Sequence, residues 1–459
     1  MKNTRKARKM NKKINIPDNV KVVLETLYEN GFEGYLVGGC VRDFILEKVP
    51  YDYDITTNAL PDEMKECFKD FKVFETGISH GTLTVVSEGE NIEITTYRKD
   101  GEYKDGRHPL SVEFTPCLEE DLKRRDFTMN AIAYSEKDGF VDFFGGINDI
   151  ENKVIKAVGN PYERFSEDKL RIMRGIRFSS ELSFEIESET KSAIFSLKEG
   201  LKEISVERIS TELDKLLMGD NVYSVLMEYA DVLSVVIPEI KPCIDFEQKN
   251  PYHIYTVWEH IVKAVEKSPK DIKIRLSMLF HDIGKPRCFS VDEKGIGHFL
   301  GHEKISAEMA GEILRRLKKS NDTINTVKKL VEMHYIKPSK ENGNEFSDKQ
   351  IRKILTKINR EDFFLLTDVL RADSLSKAEF AKERLPAIDR MEKKAEEMYE
   401  KGECLSLKDL SLNGNDIEKL GFKGKEIGEA LSFLLDAVIS EKVVNKREEL
   451  IEYLTRKEL

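Results

Sequence analysis

The stretch Tyr35-Leu36-Val37-Gly38-Gly39-Cys40-Val41-Arg42-Asp43-Phe44-Ile45-Leu46, followed shortly by Asp52-Tyr53-Asp54-Ile55, decides the reading of the first half of this chain. Its pattern is strand, tight turn, helix, strand. Side chains at i and i+2 of a strand share a face, so Asp52 and Asp54 converge while Tyr53 points away. Two convergent carboxylates suit Mg²⁺, which keeps several waters and binds through one or two carboxylates together with substrate phosphates. Gly38 and Gly39, lacking Cβ atoms, let phosphate oxygens approach the backbone N–H groups that open the next helix. Arg42 on that helix is a further nucleotide contact. Either motif alone also fits a solvated loop or a plain turn; the two in this order point to nucleotidyl transfer.

Further along, Asn91-Ile92-Glu93-Ile94-Thr95-Thr96-Tyr97-Arg98 alternates as a strand does. Glu93 completes the acidic site if this strand pairs beside the first, and is otherwise an outward, solvated carboxylate. In Arg124-Arg125-Asp126-Phe127-Thr128-Met129-Asn130-Ala131, Arg125 suits a phosphate. Asp126 and Asn130, four apart, would share a helix face and address a ribose hydroxyl. The same run also reads as a charged helix start capped by Asp126.

The run Ser166-Glu167-Asp168-Lys169-Leu170-Arg171 predicts a helix capped by Ser166 with acids in its first turn. Asp168 and Arg171 are then i,i+3 neighbours, an acceptor fixed beside a donor. Cytosine and adenine both present an amine donor next to a ring-nitrogen acceptor; uracil and guanine present a carbonyl next to an N–H. The pair therefore fits C and A, and unpaired groups against the wrong base can reject it by about 10⁴-fold. An ordinary surface ion pair has the same spacing. Arg164, Lys169, Arg171, Arg174 and Arg177 form a basic run suited to triphosphate and RNA backbone.

In this order the motifs resemble the class II tRNA nucleotidyltransferases, the CCA-adding enzymes, with bacterial poly(A) polymerases as siblings. The resemblance is strong to about Leu217 and weaker beyond. It implies an α+β fold: a polymerase-β-type head with a mixed sheet, then all-α neck, HD and tail domains. It implies Asp52 and Asp54 as metal ligands, the 124–131 stretch as ribose selector, and Glu167, Asp168 and Arg171 as an amino-acid template. Glu207-Arg208 would be a supporting motif, and Lys99 to Phe114 the flexible loop of A-adding members. The implied activity is addition of C, C and A from CTP and ATP to the tRNA 3′ end, with Mg²⁺ and release of pyrophosphate. An A-adding specialist, a poly(A) polymerase and a protein working mainly as an HD hydrolase are the alternatives. Family poly(A) polymerases are often strongly basic, whereas this chain carries a net charge of −10, which favours the tRNA enzyme.

Histidines cluster in the second half, with six of the eight between His253 and His334. His260, His281-Asp282, His302, His334 and Asp373, spread over predicted helices, resemble an HD-family metal site. Imidazoles with carboxylates suit a borderline or hard divalent ion, which can acidify water for phosphoester hydrolysis. The resemblance implies a phosphohydrolase acting on phosphate monoesters or cyclic phosphates. The histidines exceed what one ion needs, so a second metal is an expectation; His298, four before His302, is expected on the same helix face.

A chain of 459 residues with 40% hydrophobic content is too long for one core and able to fill several. The expected parts are a basic flexible tail (1–17), a head (18–155), a helical neck carrying the template (156–240), an HD metal domain (241–385) and a helical, RNA-binding body and tail (386–459). The Lys-rich start lacks an apolar core and is not read as a signal peptide. No stretch is apolar enough to span a membrane. Six scattered cysteines suggest reduced thiols in a cytoplasm. Glycines and Lys425 before the last amphipathic helices suit either an RNA phosphate or a capped turn. The Lys/Glu run from Pro386 to Lys401 reads as a solvated helix face.

Overall fold

The computed structural model describes residues 13–101, 112–251, 254–338 and 343–456. Most of the Lys99–Phe114 loop, most of the basic tail, and His253 lie outside these residues. The chain divides into two compact units, Met1–Pro238 and Glu239–Leu459.

The described residues of the first unit include the strands β1 (Tyr35–Val37), β2 (Asp54–Thr57), β3 (Lys72–Phe74), β4 (Thr82–Ser87), β5 (Glu90–Thr96), β6 (Arg98–Asp100), β7 (Val112–Phe114), β8 (Ile132–Ser135) and β9 (Gly139–Asp142), with a short parallel pair, Val154–Ile155 and Glu185–Ile186, after them. Seven form one mixed sheet in the order β3-β4-β5-β2-β1-β8-β9; β6 and β7 pair separately as an antiparallel ladder. Within the large sheet only β2 and β5 run parallel. Their register aligns Asp54 with Glu93 and Ile55 with Ile94. Because side chains alternate across a strand, one face takes Leu36, Ile55, Leu83, Ile92 and Ile94 into the core, and the carboxylates stay off it.

Behind the sheet the chain becomes helical, with Pro161–Glu167, Leu170–Leu182, Ser188–Leu197 and Val206–Leu217 as the main helices. Helix Leu170–Leu182 packs on Val206–Leu217, and the ring of Phe127 lies edge-on to Phe165 and Phe178. Gly175 lets that helix approach, since a Cβ there would sit 3.1 Å from Phe127. The helix Val206–Leu217 ends before Gly219, and Pro238 opens a 3₁₀ turn.

The helix expected to start at Ser166 starts later. Ser166 lies inside Pro161–Glu167 and donates to the Tyr162 carbonyl at 2.7 Å, so it cannot cap. The chain kinks at Asp168, whose Oδ1 accepts from the Leu170 backbone N–H at 3.0 Å, and the longer helix runs from Leu170. Asp168 thus does the capping assigned to Ser166.

In the second unit, helices Val257–Lys267, Ile272–Phe280, His302–Arg316, Asn321–Met333 and Arg360–Leu375 enclose one core. A hairpin, Phe289–Val291 with Gly297–Phe299, precedes the third helix. Helices Asp348–Leu355 and Leu385–Glu400 follow, and the latter buries Ile388, Met391 and Ala395 while its Lys/Glu face stays out. Gly414–Lys419, Lys425–Ile439 and Arg447–Thr455 close on a core of their own around Leu412, Ile417, Leu434 and Leu450. No helix among the described residues is long and apolar enough to cross a membrane.

Candidate functional site

Asp54 opens β2 between Val37 of β1 and Glu93 of β5. Asp52 lies exposed just before the strand, and Tyr53 turns to Phe44, ring centroids 6.1 Å apart. Burial pushes the Asp54 carboxyl up to about 6 against the pull of Arg125; the charges of Asp52 and Glu93 add to the rise. Asp52 and Glu93 act on Asp54 through their charge, but the three carboxylates are not drawn together on one point as the histidine–aspartate groups of the second unit are; all three offer oxygen donors, the kind a hard divalent cation takes.

Gly38 stands at this site with φ +79°, a conformation side chains rarely adopt. A Cβ on it would lie 3.0 Å from Arg125 Nη1 and 3.7 Å from Asp54 Oδ2. Gly39 begins a helix of only seven residues. Arg125 is aimed here by a residue the sequence reading passed over, the fully buried Asp121. That carboxylate bonds Arg124 Nε at 2.9 Å and Thr56 Oγ1 at 3.2 Å, and pairs with Arg125 Nη2 at 3.7 Å. Burial would raise the Asp121 pKa, but the charges of Arg124 and Arg125 hold it below the usual carboxylate range. Arg125 Nε is buried with no hydrogen-bond partner among the described residues. An Asp three and four residues before two arginines was the available signal.

The selector residues form a connected network. Asp126 and Asn130 do not share a helix, since only Thr128–Asn130 makes a 3₁₀ turn, yet Asn130 Nδ2 donates to Asp126 Oδ1 at 3.0 Å. Arg42 donates to Asn130 Oδ1 at 2.9 Å and to Asp43 at 2.8 Å. Arg174 binds Asp126 Oδ2 at 2.7 Å, and its charge with the Asn130 hydrogen bond holds Asp126 below its ordinary value although burial opposes. Arg177 pairs with Glu212 at 2.7 Å and Glu181 at 2.5 Å. Three guanidiniums, Arg42, Arg174 and Arg177, lie 5.0, 5.4 and 3.7 Å from the centroid of the Phe178 ring. The expected basic run is therefore not a solvated stripe: Arg171 and Arg177 are buried, and Arg174 is engaged by Asp126. Phe178 and Glu212, which organise it, carried no recognisable spacing.

Asp168 and Arg171 are not each other's ion-pair partners. Asp168 Oδ2 accepts from Arg208 at 2.7 Å. Arg171 Nη1 donates to Glu167 at 2.6 Å and to the Arg164 carbonyl at 2.9 Å, while its Nη2 reaches the Arg124 carbonyl at 3.0 Å. Arg164 shares Glu167 at 2.7 Å. The donor and the acceptor are each locked by separate neighbours, a preorganised pair of polar groups. Glu207 is exposed on the helix that supplies Arg208.

The second unit brings His260, His281, Asp282, His302, His334 and Asp373 together in the core. His281, His302 and His334 use Nδ1 toward the carbonyls of Met278, Phe299 and Val331 at 2.7, 2.7 and 2.6 Å, and His260 Nδ1 lies 3.2 Å from the Ser376 carbonyl. Those bonds put the proton on Nδ1 and leave Nε2 lone pairs facing inward. Nε2 of His260 and His281 approach to 3.0 Å, and those of His302 and His334 to 3.3 Å. Asp282 joins both pairs: Oδ2 is 3.1 Å from His260, and Oδ1 is 3.3 Å from His302. Asp282 Oδ1 and Asp373 Oδ1 are buried, with no hydrogen-bond partner among the described residues and only the His302 and His260 Nε2 atoms beside them, at 3.3 and 3.4 Å. Facing lone pairs and orphaned carboxylate oxygens call for cations. The two groups His260-His281-Asp282 and Asp282-His302-His334 each fit one divalent ion with Asp282 between them.

At His281 a proton competes for the Nε2 lone pair: burial would lower its pKa, but Asp282 and Asp373 push it up to about 9, so a cation there has to displace that proton; burial takes His334 down to about 4. His298 does not join: it sits on the hairpin and binds Asp292 at 2.9 Å, because the helix expected to carry it begins only at His302. Lys285 and Lys377, three and four residues after the aspartates, bind Asp282 at 2.6 Å and Asp373 at 2.5 Å. They were not foreseen, although their spacing was readable.

Comparison with known proteins bears on both halves of the chain. Residues 34–156 match the family described as "Poly A polymerase head domain", 183–244 the family described as "Probable RNA and SrmB- binding site of polymerase A", and 289–454 the family described as "tRNA nucleotidyltransferase domain 2 putative". A CCA-adding enzyme of Oceanobacillus iheyensis is 48% identical over 210 residues; that match spans 46% of this chain and about half, 52%, of the relative. A CCA-adding enzyme of Ligilactobacillus salivarius is 35% identical over 444 residues, 95% of this chain and 96% of the relative. Among solved structures, the Bacillus stearothermophilus CCA-adding enzyme in complex with CTP aligns with TM-score 0.71 and 27% identity, covering 96% of this chain and 98% of that one. The Thermotoga maritima CCA-adding enzyme complexed with tRNA shares the fold, with TM-score 0.59, 21% identity and 96% of each chain covered. Likeness along nearly the full length of a relative goes beyond a shared head, and this chain belongs to the family of the CCA-adding enzymes.

Proposed function

We propose that this protein adds C, C and A to the tRNA 3′ end from CTP and ATP, with protein side chains in place of a nucleic-acid template. The observation that carries the reading is the alignment of Asp54 with Glu93 across β2 and β5, with Asp52 beside them and Arg125 at Gly38. Asp52 and Asp54, with Glu93, are assigned to hold Mg²⁺. The cation supplies activation of the RNA 3′-hydroxyl and neutralisation of charge on the α-phosphate as pyrophosphate leaves.

The chain's own groups bind and orient. Arg125, paired with Asp121, has a buried Nε without a partner among the described residues that suits a triphosphate oxygen, and the bare Gly38 backbone leaves room for it. Asp126, Asn130 and Arg42 form one hydrogen-bonded set assigned to the ribose; Arg174 holds Asp126, and Arg177 shares the Phe178 ring with Arg42 and Arg174. Asp168, steadied by Arg208, accepts from the exocyclic amine of C or A. Arg171, steadied by Glu167 with Arg164, donates to the ring nitrogen. Those residues, together with Gly39, make up the nucleotide site. A cytoplasmic location fits six unpaired cysteines.

tRNA transcripts ending before CCA, after C and after CC, each given CTP, ATP or both, test the reading. Completion to CCA and a stop supports it. One A on the CC-ended transcript with no C incorporated means an A-adding enzyme, and an unlimited A tail on varied RNA means a poly(A) polymerase.

A second reading rests on the orphaned Oδ1 atoms of Asp282 and Asp373 facing four Nε2 lone pairs. His260, His281, Asp282, His302, His334 and Asp373 hold two divalent ions and make the second unit a phosphohydrolase. Mixed nitrogen and oxygen donors favour a transition metal over Mg²⁺. Metal content of the purified chain, with and without His281→Ala, tests it.

A further inference from the structure

We propose that the two base-reading side chains do different work: Arg171 is linked through the Arg124–Arg125 peptide to the guanidinium at the triphosphate, so its contact with the base sets the rate of transfer, whereas Asp168 contributes to binding alone. This deepens the nucleotidyl-transfer reading and rests on it.

The link is a short run of hydrogen bonds. Arg171 Nη2 donates to the Arg124 carbonyl at 3.0 Å, and Arg164 Nη1 reaches the same oxygen at 3.3 Å. Glu167 at 2.6 Å and the Arg164 carbonyl at 2.9 Å hold Arg171 Nη1. These bonds do not exhaust the donors of a guanidinium, so a base can still be read. The Arg124 carbonyl belongs to the same planar group as the Arg125 N–H, which donates to the Leu122 carbonyl at 3.2 Å. That peptide is held at both ends and turns as one body. Beyond it, Arg125 Nη2 pairs with Asp121 at 3.7 Å, and Arg125 Nη1 is the atom that a Cβ on Gly38 would meet at 3.0 Å. Asp121 in turn takes Arg124 Nε at 2.9 Å and the hydroxyl of Thr56, two residues past Asp54, at 3.2 Å.

Asp168 is held differently. Its Oδ2 accepts from Arg208 at 2.7 Å and its Oδ1 from the Leu170 backbone N–H at 3.0 Å, partners on the helices Val206–Leu217 and Leu170–Leu182. Losing a contact to Asp168 weakens binding and leaves Arg125 where it was. A base that sets an N–H or C–H where the ring acceptor belongs confronts an Arg171 donor instead. Moving that guanidinium relieves the clash but takes from the Arg124 carbonyl its shorter hydrogen bond. Arg125 shifts with the peptide, and the phosphate it steadies loses its alignment. Small misplacements of a reacting group cost far more in rate than in affinity.

Two nucleotide analogues separate the contacts on the native chain, by single-turnover incorporation into a tRNA transcript lacking CCA. 3-Deazacytidine triphosphate keeps the exocyclic amine and loses the ring acceptor; pyrimidin-2-one riboside triphosphate keeps the ring acceptor and loses the amine. The first should react at saturation at least about tenfold slower than CTP. The second should reach a maximal rate within about threefold of CTP, with its half-saturating concentration raised about tenfold. Arg125→Lys keeps the charge and breaks the link: CTP should slow, and the rate penalty of the 3-deaza compound should shrink to within about threefold. Circular dichroism checks that the variant is folded, and the comparison of analogues on the native chain stands whether or not it is. Equal loss of maximal rate with both analogues, loss confined to half-saturation with both, or a folded Arg125→Lys that keeps the full penalty overturns the proposal alone. A native chain that incorporates no CTP overturns the nucleotidyl-transfer reading and the proposal with it.

Discussion

Asp54 is the side chain on which pH acts most directly. Its carboxyl is raised from 3.8 to about 6, so the ionised form is disfavoured in the fold, first by burial and then by Asp52 and Glu93. The folded state therefore binds a proton more readily than the unfolded chain. This group lowers stability above about pH 6, and the cost is relieved as pH falls toward 4. A cation at the site competes with that proton. Mg²⁺ affinity of the head, measured by titration against addition rate, is expected to fall toward tenfold per pH unit below about 6 and to be flat above 7. Gly38 supplies a second residue-scale prediction. Its positive φ strains any side chain, and a Cβ there would crowd Arg125 Nη1 at 3.0 Å. Gly38→Ala should lose about 1–3 kcal/mol in urea denaturation from backbone strain alone, and should weaken CTP binding by displacing Arg125.

At the scale of elements, helix Val206–Leu217 braces the selector helix through two ion pairs, Arg208 with Asp168 and Glu212 with Arg177. Arg208→Ala leaves Asp168 without its main restraint while removing no group assigned to the reacting phosphates. Discrimination of CTP against UTP should fall by an order of magnitude or more, with kcat for CTP changing little. Glu212→Gln leaves the buried Arg177 with a weaker partner and should cost stability, about 3 kcal/mol or more as for a broken buried pair. These contacts also show what the sequence could and could not convey. The strand–turn–helix–strand around Gly38 and the carboxylate spacing were readable because period and turn chemistry are local. The kink at Asp168 was not, because Ser166 looks like a cap and only the packing of Leu170–Leu182 against its neighbours moves the helix start. His298 misled for the same reason: a spacing of four implies a shared face only inside a helix, and a glycine turn at Gly301 ends the hairpin first. Glu212 and Phe178 were silent since their partners lie far along the chain. The histidine–aspartate centre was legible as residue types, whereas the sharing of Asp282 between two groups is a property of the assembled helices.

Across the whole molecule, the second of the two compact units holds the histidine–aspartate centre, while the first carries the acids around Asp54, a set with different donor atoms. Oxygen donors around Asp54 suit Mg²⁺; the nitrogen-rich centre suits a transition metal. Stripping the protein with a chelator and restoring Mg²⁺ alone should therefore return CCA addition in full but leave phosphohydrolysis low until Mn²⁺ or a similar ion is supplied. Both activities followed on one sample check this. The central claim is narrower: the acids at the start of β2 carry the nucleotidyl transfer. Single-turnover incorporation of CTP on a tRNA transcript lacking CCA, comparing the native chain with Asp52→Ala/Asp54→Ala, measures it. Circular dichroism confirms that the variant is folded. Loss of at least about 100-fold in rate, with folding retained, is the predicted result; a folded variant that still adds C at close to the native rate would contradict it.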